Sequence, residues 1–456
     1  MKLKNRIWVG VLSVFLLVVA GATVFVVQGQ YPEQLQLASG FKAKTLCAGM
    51  YIQGLPQSRL ETEDAGFHFL FPFLQATVDT EHQKVTCSLW GTGLFSATAV
   101  RIPGLGAVLL QGASEASLRA RLKSPMMASE STDLPTAGPS IPGLAEAVGQ
   151  TFTETEPKNP KRTRAVIVLV GGKIVAERYA EGITANTRLL SWSMAKTFTN
   201  ALTGILVGQG RLDIKQPAQV PEWSKAGDSR ASITVDQLLR MSSGLSFFED
   251  YTEHPISDVN QMLFLESDMG AFAARQPLVA KPDTIWNYSS GSINIVSRLI
   301  RESFGGDEAY WAFPYRALFT PLGMASAEWG TDTSGTYIGS SYIYATARDY
   351  ARFGLLYLHD GVVNGVRLLP EGWVKYSTTP TVTQSNGTYG SSIWLNAKQK
   401  DYPEVPSDLS YADGHNGQEI FFCPSLDLVA VRLGMTWEGD WGSKEFLSAL
   451  TKALKK

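Results

Sequence analysis

From residue 164 onward, apolar and polar positions follow the order expected of a mixed sheet-and-helix domain. Residues 164–170 (RAVIVLV) and 173–179 (KIVAERY) are two β-rich runs joined by Gly171-Gly172, which predicts a hairpin. Residues 193–207 suit a helix ended by Gly208 and Gly210. Residues 234–241 (TVDQLLRM) predict a short amphipathic helix stopped at Ser242-Ser243-Gly244. Residues 292–304 place Ile293, Val296 and Ile300 at helical spacing, and residues 347–358 predict a further helix. Residues 418–422 (QEIFF) and 428–433 (LVAVRL) are strand-like and flank Pro424. Strands at both ends with helices between them predict an α+β domain whose sheet is closed by its N- and C-terminal strands.

The earlier chain differs. Lys2, Lys4 and Arg6 precede an uncharged apolar run over residues 7–27. A helix of ~20 apolar residues spans a bilayer core, and flanking positive charge holds its N-terminus in the cytoplasm. The expectation is a single-pass inner-membrane anchor over residues 1–30, with the rest of the chain on the periplasmic side; a cleaved signal peptide is the alternative. Residues 31–123 hold short apolar runs broken by turns and carry no catalytic signature. Residues 124–143, rich in Ser, Thr, Pro and Gly, are expected to be a linker, with the main domain over 144–456.

With 456 residues and 44% hydrophobic content, the chain can bury a large core. A net charge of −2 and scattered Lys and Arg give no reason to expect a nucleic-acid partner. Of the three cysteines, Cys47 and Cys87 could pair in an oxidising compartment, leaving Cys423 as a buried thiol. No C-x-x-C is present, and the five histidines never reach H-E-x-x-H spacing, so neither a metal nor a cofactor is expected.

Residues 191–200 (SWSMAKTFTN) carry the chemistry. At a helix start, Ser193 and Lys196 stand at i and i+3 on one face, near unpaired N–H groups that favour a developing oxyanion. A serine hydroxyl needs a base to take its proton, and lysine serves only where burial or charge lowers its pKa. The same S-x-x-K spacing recurs at Ser39–Lys42, so spacing alone decides nothing. Two further stretches do: residues 286–291 (WNYSSG), with Tyr288 at a loop-to-helix junction, and residues 413–418 (DGHNGQ), a small-residue loop entering a strand.

S-x-x-K, then Y-x-[NS], then [KH]-x-G on a C-terminal strand resembles the serine β-lactamase and penicillin-binding-protein superfamily. The resemblance is nearest to its class C-like branch of DD-peptidases, EstB-type esterases and 6-aminohexanoate-dimer hydrolases. Residues 233–245 (ITVDQLLRMSSGL), 319–324, 344–354 and 389–394 extend it across about residues 160–450. It implies a β-lactamase/transpeptidase-like α+β fold, an antiparallel sheet flanked by helices plus a helical subdomain, here preceded by the transmembrane helix. It implies Ser193 as nucleophile, Lys196 as its base and Tyr288 as proton shuttle to the leaving group. It also implies an oxyanion hole from the amides of Ser193 and Gln418, with Ser290, His415, Asn416 and Gly417 lining the substrate site.

Two departures matter. Ser290 stands where many relatives have Asn, and His415 stands for the Lys of K-T-G, reducing positive charge where a carboxylate would bind. The resemblance therefore implies hydrolysis of a small ester or amide, or of a short peptide-like substrate, through an acyl-enzyme. The rival readings are a DD-peptidase or β-lactamase, a catalytically silent penicillin-binding-like module, and an envelope protein whose working part is residues 31–123. An α/β-hydrolase is disfavoured, since no G-x-S-x-G elbow occurs.

Overall fold

The computed structural model describes residues 30–125, 133–137, 141–437 and 439–455. Helix α1 (Tyr31–Ala48) lies against an antiparallel sheet of four strands in chain order, β1 (Leu74–Asp79), β2 (Lys84–Leu89), β3 (Leu94–Ile102) and β4 (Gly106–Leu109). The sequence pattern had suggested no helix there, because Ser39, Lys42 and Lys44 are among its buried positions and blur the 3.6-residue period. Those ammonium groups are satisfied locally. Lys42 Nζ donates to the carbonyls of Phe71 (3.2 Å) and Leu74 (2.7 Å), so the second S-x-x-K spends its lysine on backbone. Lys44 Nζ donates to Ala107 O (2.6 Å) and sits 4.4 Å from the centre of the Tyr342 ring.

This N-terminal segment shares one continuous hydrophobic core with the rest of the protein. Arg101 and Glu328 form an ion pair at 2.6 Å, with side chains 8% and 6% exposed. Glu328 also accepts from the Gly106 N–H at 3.1 Å. Gly106 has φ 85°, and a Cβ there would lie 2.6 Å from Gly330 Cα, so two backbones touch where only glycine fits. Arg164 reaches back to Asp64 (3.0 Å), and the Trp437 indole donates to Glu63 O (2.7 Å).

Two expectations are corrected here. Cys47 and Cys87 are both free, buried thiols: Cys47 Sγ points at Gln83 O (3.6 Å), while Cys87 sits between Ala76 and Ala97 on the neighbouring strands. Burial pushes both thiols up to about 12. The expected membrane span, residues 7–27, lies outside the described residues. Among the described residues no helix is long and apolar enough to cross a membrane, so the single-pass inner-membrane placement is withdrawn.

The main body begins with helix α2 (Leu144–Thr151), followed by β5 (Thr163–Val170) and β6 (Lys173–Tyr179), the predicted hairpin, with Gly171 and Gly172 at φ 58° and 69°. Helices α3 (Ala195–Gly208), α4 (Val235–Leu239), α5 (Asp258–Leu265), α6 (Ser290–Glu302) and α7 (Ala347–Leu358) come next. The chain then returns through β7 (Trp394–Leu395), β8 (Ser410–Gly414), β9 (Gln418–Cys423), β10 (Leu428–Gly434) and helix α8 (Ser443–Leu454).

The second sheet runs β7-β8-β9-β10-β5-β6, antiparallel throughout, so strands from the two ends of the body pair at its centre as the pattern predicted. Successive side chains alternate between two cores. Val166 and Val168 face α2 and α8, while Ala165, Ile167 and Leu169 join the core that includes Tyr350, Phe353 and Leu356 of α7. Covered on both faces, these strands read as unbroken apolar runs.

Breaking the buried ion pair should loosen the N-terminal segment from the body. Glu328→Ala leaves Arg101 buried without its counter-charge and should cost about 3 kcal/mol of unfolding free energy in a urea titration. A loss below about 0.5 kcal/mol, the range of ordinary surface changes, would show that the pair does not tie the two parts together.

Candidate active site

The chain enters α3 through a tight turn, Trp192–Met194, in which Trp192 takes φ 44°. That left-handed conformation costs a non-glycine residue roughly 1–2 kcal/mol. The Trp192 ring is held by contacts with Tyr251 (5.9 Å), Tyr342 (5.6 Å) and His415 (5.4 Å), which offset the cost and fix where Ser193 begins. Ser193 and Lys196 are 7% and 1% exposed. Lys196 Nζ lies 2.8 Å from Ser193 Oγ and 2.9 Å from Ser290 Oγ, the first residue of α6. An ammonium at these distances donates to both oxygens; a neutral amine can instead accept the Ser193 proton.

A carboxylate the sequence reading missed completes the arrangement. The Ser290 hydroxyl and amide both donate to Glu249, at 2.5 and 2.7 Å, giving a relay from Lys196 through Ser290 to Glu249. The available signal was an acid embedded among aromatics, Phe247-Phe248-Glu249-Asp250-Tyr251. Burial brings the Lys196 pKa down to about 8, and the negative charges of Glu249 and Asp413 oppose that fall. Burial raises Asp413 to about 7, with Lys196 working against the rise.

Tyr288 arrives where the sequence put it, just before α6. Lys196 Nζ sits 4.7 Å from the centre of its ring. Burial lifts the phenol well above its usual pKa, so it is neutral near pH 7. Its ring packs with Trp286, Tyr389 and Trp394 at 6.3, 5.9 and 5.6 Å.

The hairpin between β8 and β9 carries the remaining expected residues. The residue against Ser193 is Gly414, where a Cβ would lie 3.1 Å from Ser193 N and 2.3 Å from Ser191 O. Gln418 pairs across the hairpin from Gly414, and its side-chain amide donates to the carbonyls of His415, Asn416 and Gly434. Asn416 and Gly417 give their carbonyls to Arg432, at 3.0 and 2.8 Å, and so build the turn. His415 stacks on Tyr251 (4.8 Å) and meets Trp437 edge-on (5.6 Å), and burial lowers it to about 4, so it carries no charge at neutral pH. Asp250, Glu253 and His254 are the one grouping among the described residues with metal-compatible spacing, on a largely exposed loop where His254 already pairs with Asp250 at 2.6 Å.

A hydroxyl held against a buried, partly neutralised amine, at the start of a helix beside an antiparallel sheet, defines a serine hydrolase. The family model described as Beta-lactamase matches residues 152–444, and the chain belongs to that family. It is similar to the 6-aminohexanoate-dimer hydrolase of Paenarthrobacter ureafaciens, 25% identical over 322 residues that cover 64% of this chain and 75% of that protein. Among solved structures it resembles a protein from Bacillus anthracis described as a 6-aminohexanoate-dimer hydrolase (TM-score 0.57, 21% identity, 72% of this chain and 88% of that one). A D-stereospecific amidohydrolase from Streptomyces sp. shares the fold (TM-score 0.52, 18% identity, 67% and 98% covered).

The electrostatics set a pH signature. Reaction of Ser193 needs the neutral amine, so the rate of labelling by a fluorophosphonate probe should climb from pH 6 to 9 with a midpoint near the Lys196 value of about 8. Glu249 stabilises the ammonium, so Glu249→Gln should move that midpoint to lower pH. A profile flat across the range, or a midpoint shifted upward in Glu249→Gln, contradicts this electrostatic account.

Proposed function

We propose that this hydrolase cleaves small esters or amides by two-step acyl transfer at Ser193. Lys196 takes the Ser193 proton as the oxygen attacks the substrate carbonyl carbon, and the carbonyl electrons move onto its oxygen. As the tetrahedral species collapses, the bond to the leaving alcohol or amine breaks and Tyr288 hands it a proton, which Lys196 replenishes. Water then attacks the Ser193 ester, the same groups move its proton, and the acid leaves. The observation that carries this reading is the 2.8 Å contact between Lys196 Nζ and Ser193 Oγ together with the lowered lysine pKa.

The oxyanion donors in this reading are the backbone amides of Ser193 and Gln418, the latter paired with Gly414, which lies against Ser193. Ser290 acts as the positioning residue that links Lys196 to Glu249. The family's amide-cleaving relative supports an ester or amide substrate. The neutral His415, wedged among Tyr251, Trp192 and Trp437, argues against tight recognition of a substrate carboxylate and hence against efficient β-lactam or D-Ala-D-Ala turnover.

The test is a hydrolysis panel of p-nitrophenyl acetate, a linear 6-aminohexanoate dimer, a D-Ala-D-Ala peptide and nitrocefin. Ester or linear-amide turnover is expected to exceed nitrocefin turnover. Ser193→Ala should abolish hydrolysis and fluorophosphonate labelling, and Tyr288→Phe should lower kcat by about 10²–10⁴-fold. Turnover by Ser193→Ala above a tenth of the starting rate would sink the proposal.

A further inference from the structure

An open pocket lies beside the candidate site, and seven of its twelve lining residues come from outside the residues the family match covers. Leu37, Ala38 and Phe41 of α1, with Phe67 and Phe71 from the loop before β1, form one side. Tyr251, Thr252, Pro255 and Phe264 form the other. No lining residue carries a charge at neutral pH; His68, the one histidine there, is held below its usual pKa by burial. The apolar lining suits a hydrocarbon group.

Tyr251 joins this pocket to the chemistry. Its hydroxyl donates to Glu249 (3.4 Å), whose carboxylate also accepts from Ser290, the serine bound to Lys196. Aromatic contacts then run outward without a break. The Tyr251 ring stacks on His415 (4.8 Å), His415 meets Trp437 (5.6 Å), Trp437 stacks on Phe67 (3.7 Å), and Phe67 meets Phe41 (5.4 Å). Asn260 fixes the loop that carries Tyr251 by donating to the carbonyls of Asp250, Tyr251 and Pro255 (3.3, 3.3 and 3.1 Å). The aromatic group around Tyr288 is separate, made of Trp286, Tyr389 and Trp394.

We propose that this pocket holds the acyl chain of the substrate, so that the N-terminal segment makes the enzyme selective for acyl groups with an apolar tail. The inference rests on the acyl-transfer reading above. Tyr288 delivers its proton to the leaving group, which therefore departs on the side of Trp286 and Trp394. The acyl group, anchored on Ser193, extends the other way, past Trp192 and Tyr251 into the pocket. Each methylene buried there adds to transition-state binding, and blocking the pocket removes that gain selectively for long chains.

The test compares kcat/KM for p-nitrophenyl octanoate and acetate in the full chain and in two pocket-filling variants, Thr252→Trp at the exposed rim and Ala38→Phe on α1, each checked for an unchanged melting midpoint. The octanoate-to-acetate ratio should fall at least about tenfold in a folded variant, since several methylenes lose their site. An unchanged ratio in folded variants overturns the proposal. A second measurement stands apart from turnover: octanamide binding to Ser193→Ala, followed by tryptophan fluorescence because Trp437 stacks on Phe67. Saturable binding that Thr252→Trp abolishes upholds the pocket even if neither ester is hydrolysed, an outcome that would remove only the acyl-transfer reading. No octanamide binding removes the pocket assignment while leaving Ser193 chemistry intact.

Discussion

The burial of one amine governs this protein. Full burial alone can depress a lysine by roughly 3–5 pKa units, leaving a permanently neutral and weakly basic group. Two carboxylates, Glu249 and Asp413, pull against that effect, and Lys196 settles at about 8. At that value the amine is still a competent base and is already neutral in a useful fraction of molecules near neutrality. The compromise requires four separate stretches of chain to meet: the start of α3, the 249–251 loop, the first turn of α6 and the end of β8. The sheet and the helices around it are what bring these stretches to one point.

Around that amine the aromatic residues divide the surroundings in two. One group encloses the phenol of Tyr288, and the other runs from Trp192 to the N-terminal segment. The segment is tied down by buried polar groups rather than by apolar packing alone. Arg101 with Glu328 and Arg164 with Asp64 are each paired on burial. Such contacts tolerate few alternative registers, because a shifted pairing strands a charge. The segment therefore stands in one fixed position beside the site.

Much of this was legible in the sequence. The hairpin over β5 and β6, the capped helix at Thr234, and the strands β9 and β10 all followed from period-2 and period-3.6 patterns with turn residues at their ends. The side chains at 193, 196 and 288 converge because local motifs carried them. What escaped were features set by tertiary context. Helix α1 hides buried lysines whose partners are carbonyls distant in sequence. Glu249 and Asp413 act on Lys196 from distant parts of the chain, and only the aromatic neighbours of Glu249 hint locally at its burial. At the hairpin, the spelling of His415-Asn416-Gly417 gave no sign that Gly414 lies against Ser193. The apolar run over residues 7–27 predicted a span, and no described helix supplies one.

The order of strands in the larger sheet has a bearing on how the protein is made. Strand β5, near the middle of the chain, pairs on one side with β6 and on the other with β10, close to its end. On the ribosome, the hairpin and α3 emerge long before residues 410–434 exist to close the sheet. Until then Lys196 is an ordinary hydrated ammonium, and Ser193 has no base beside it. Closing a contact between such distant segments is also a slow step in folding. The buried setting that lowers the Lys196 pKa is therefore complete only when the final strands are in place.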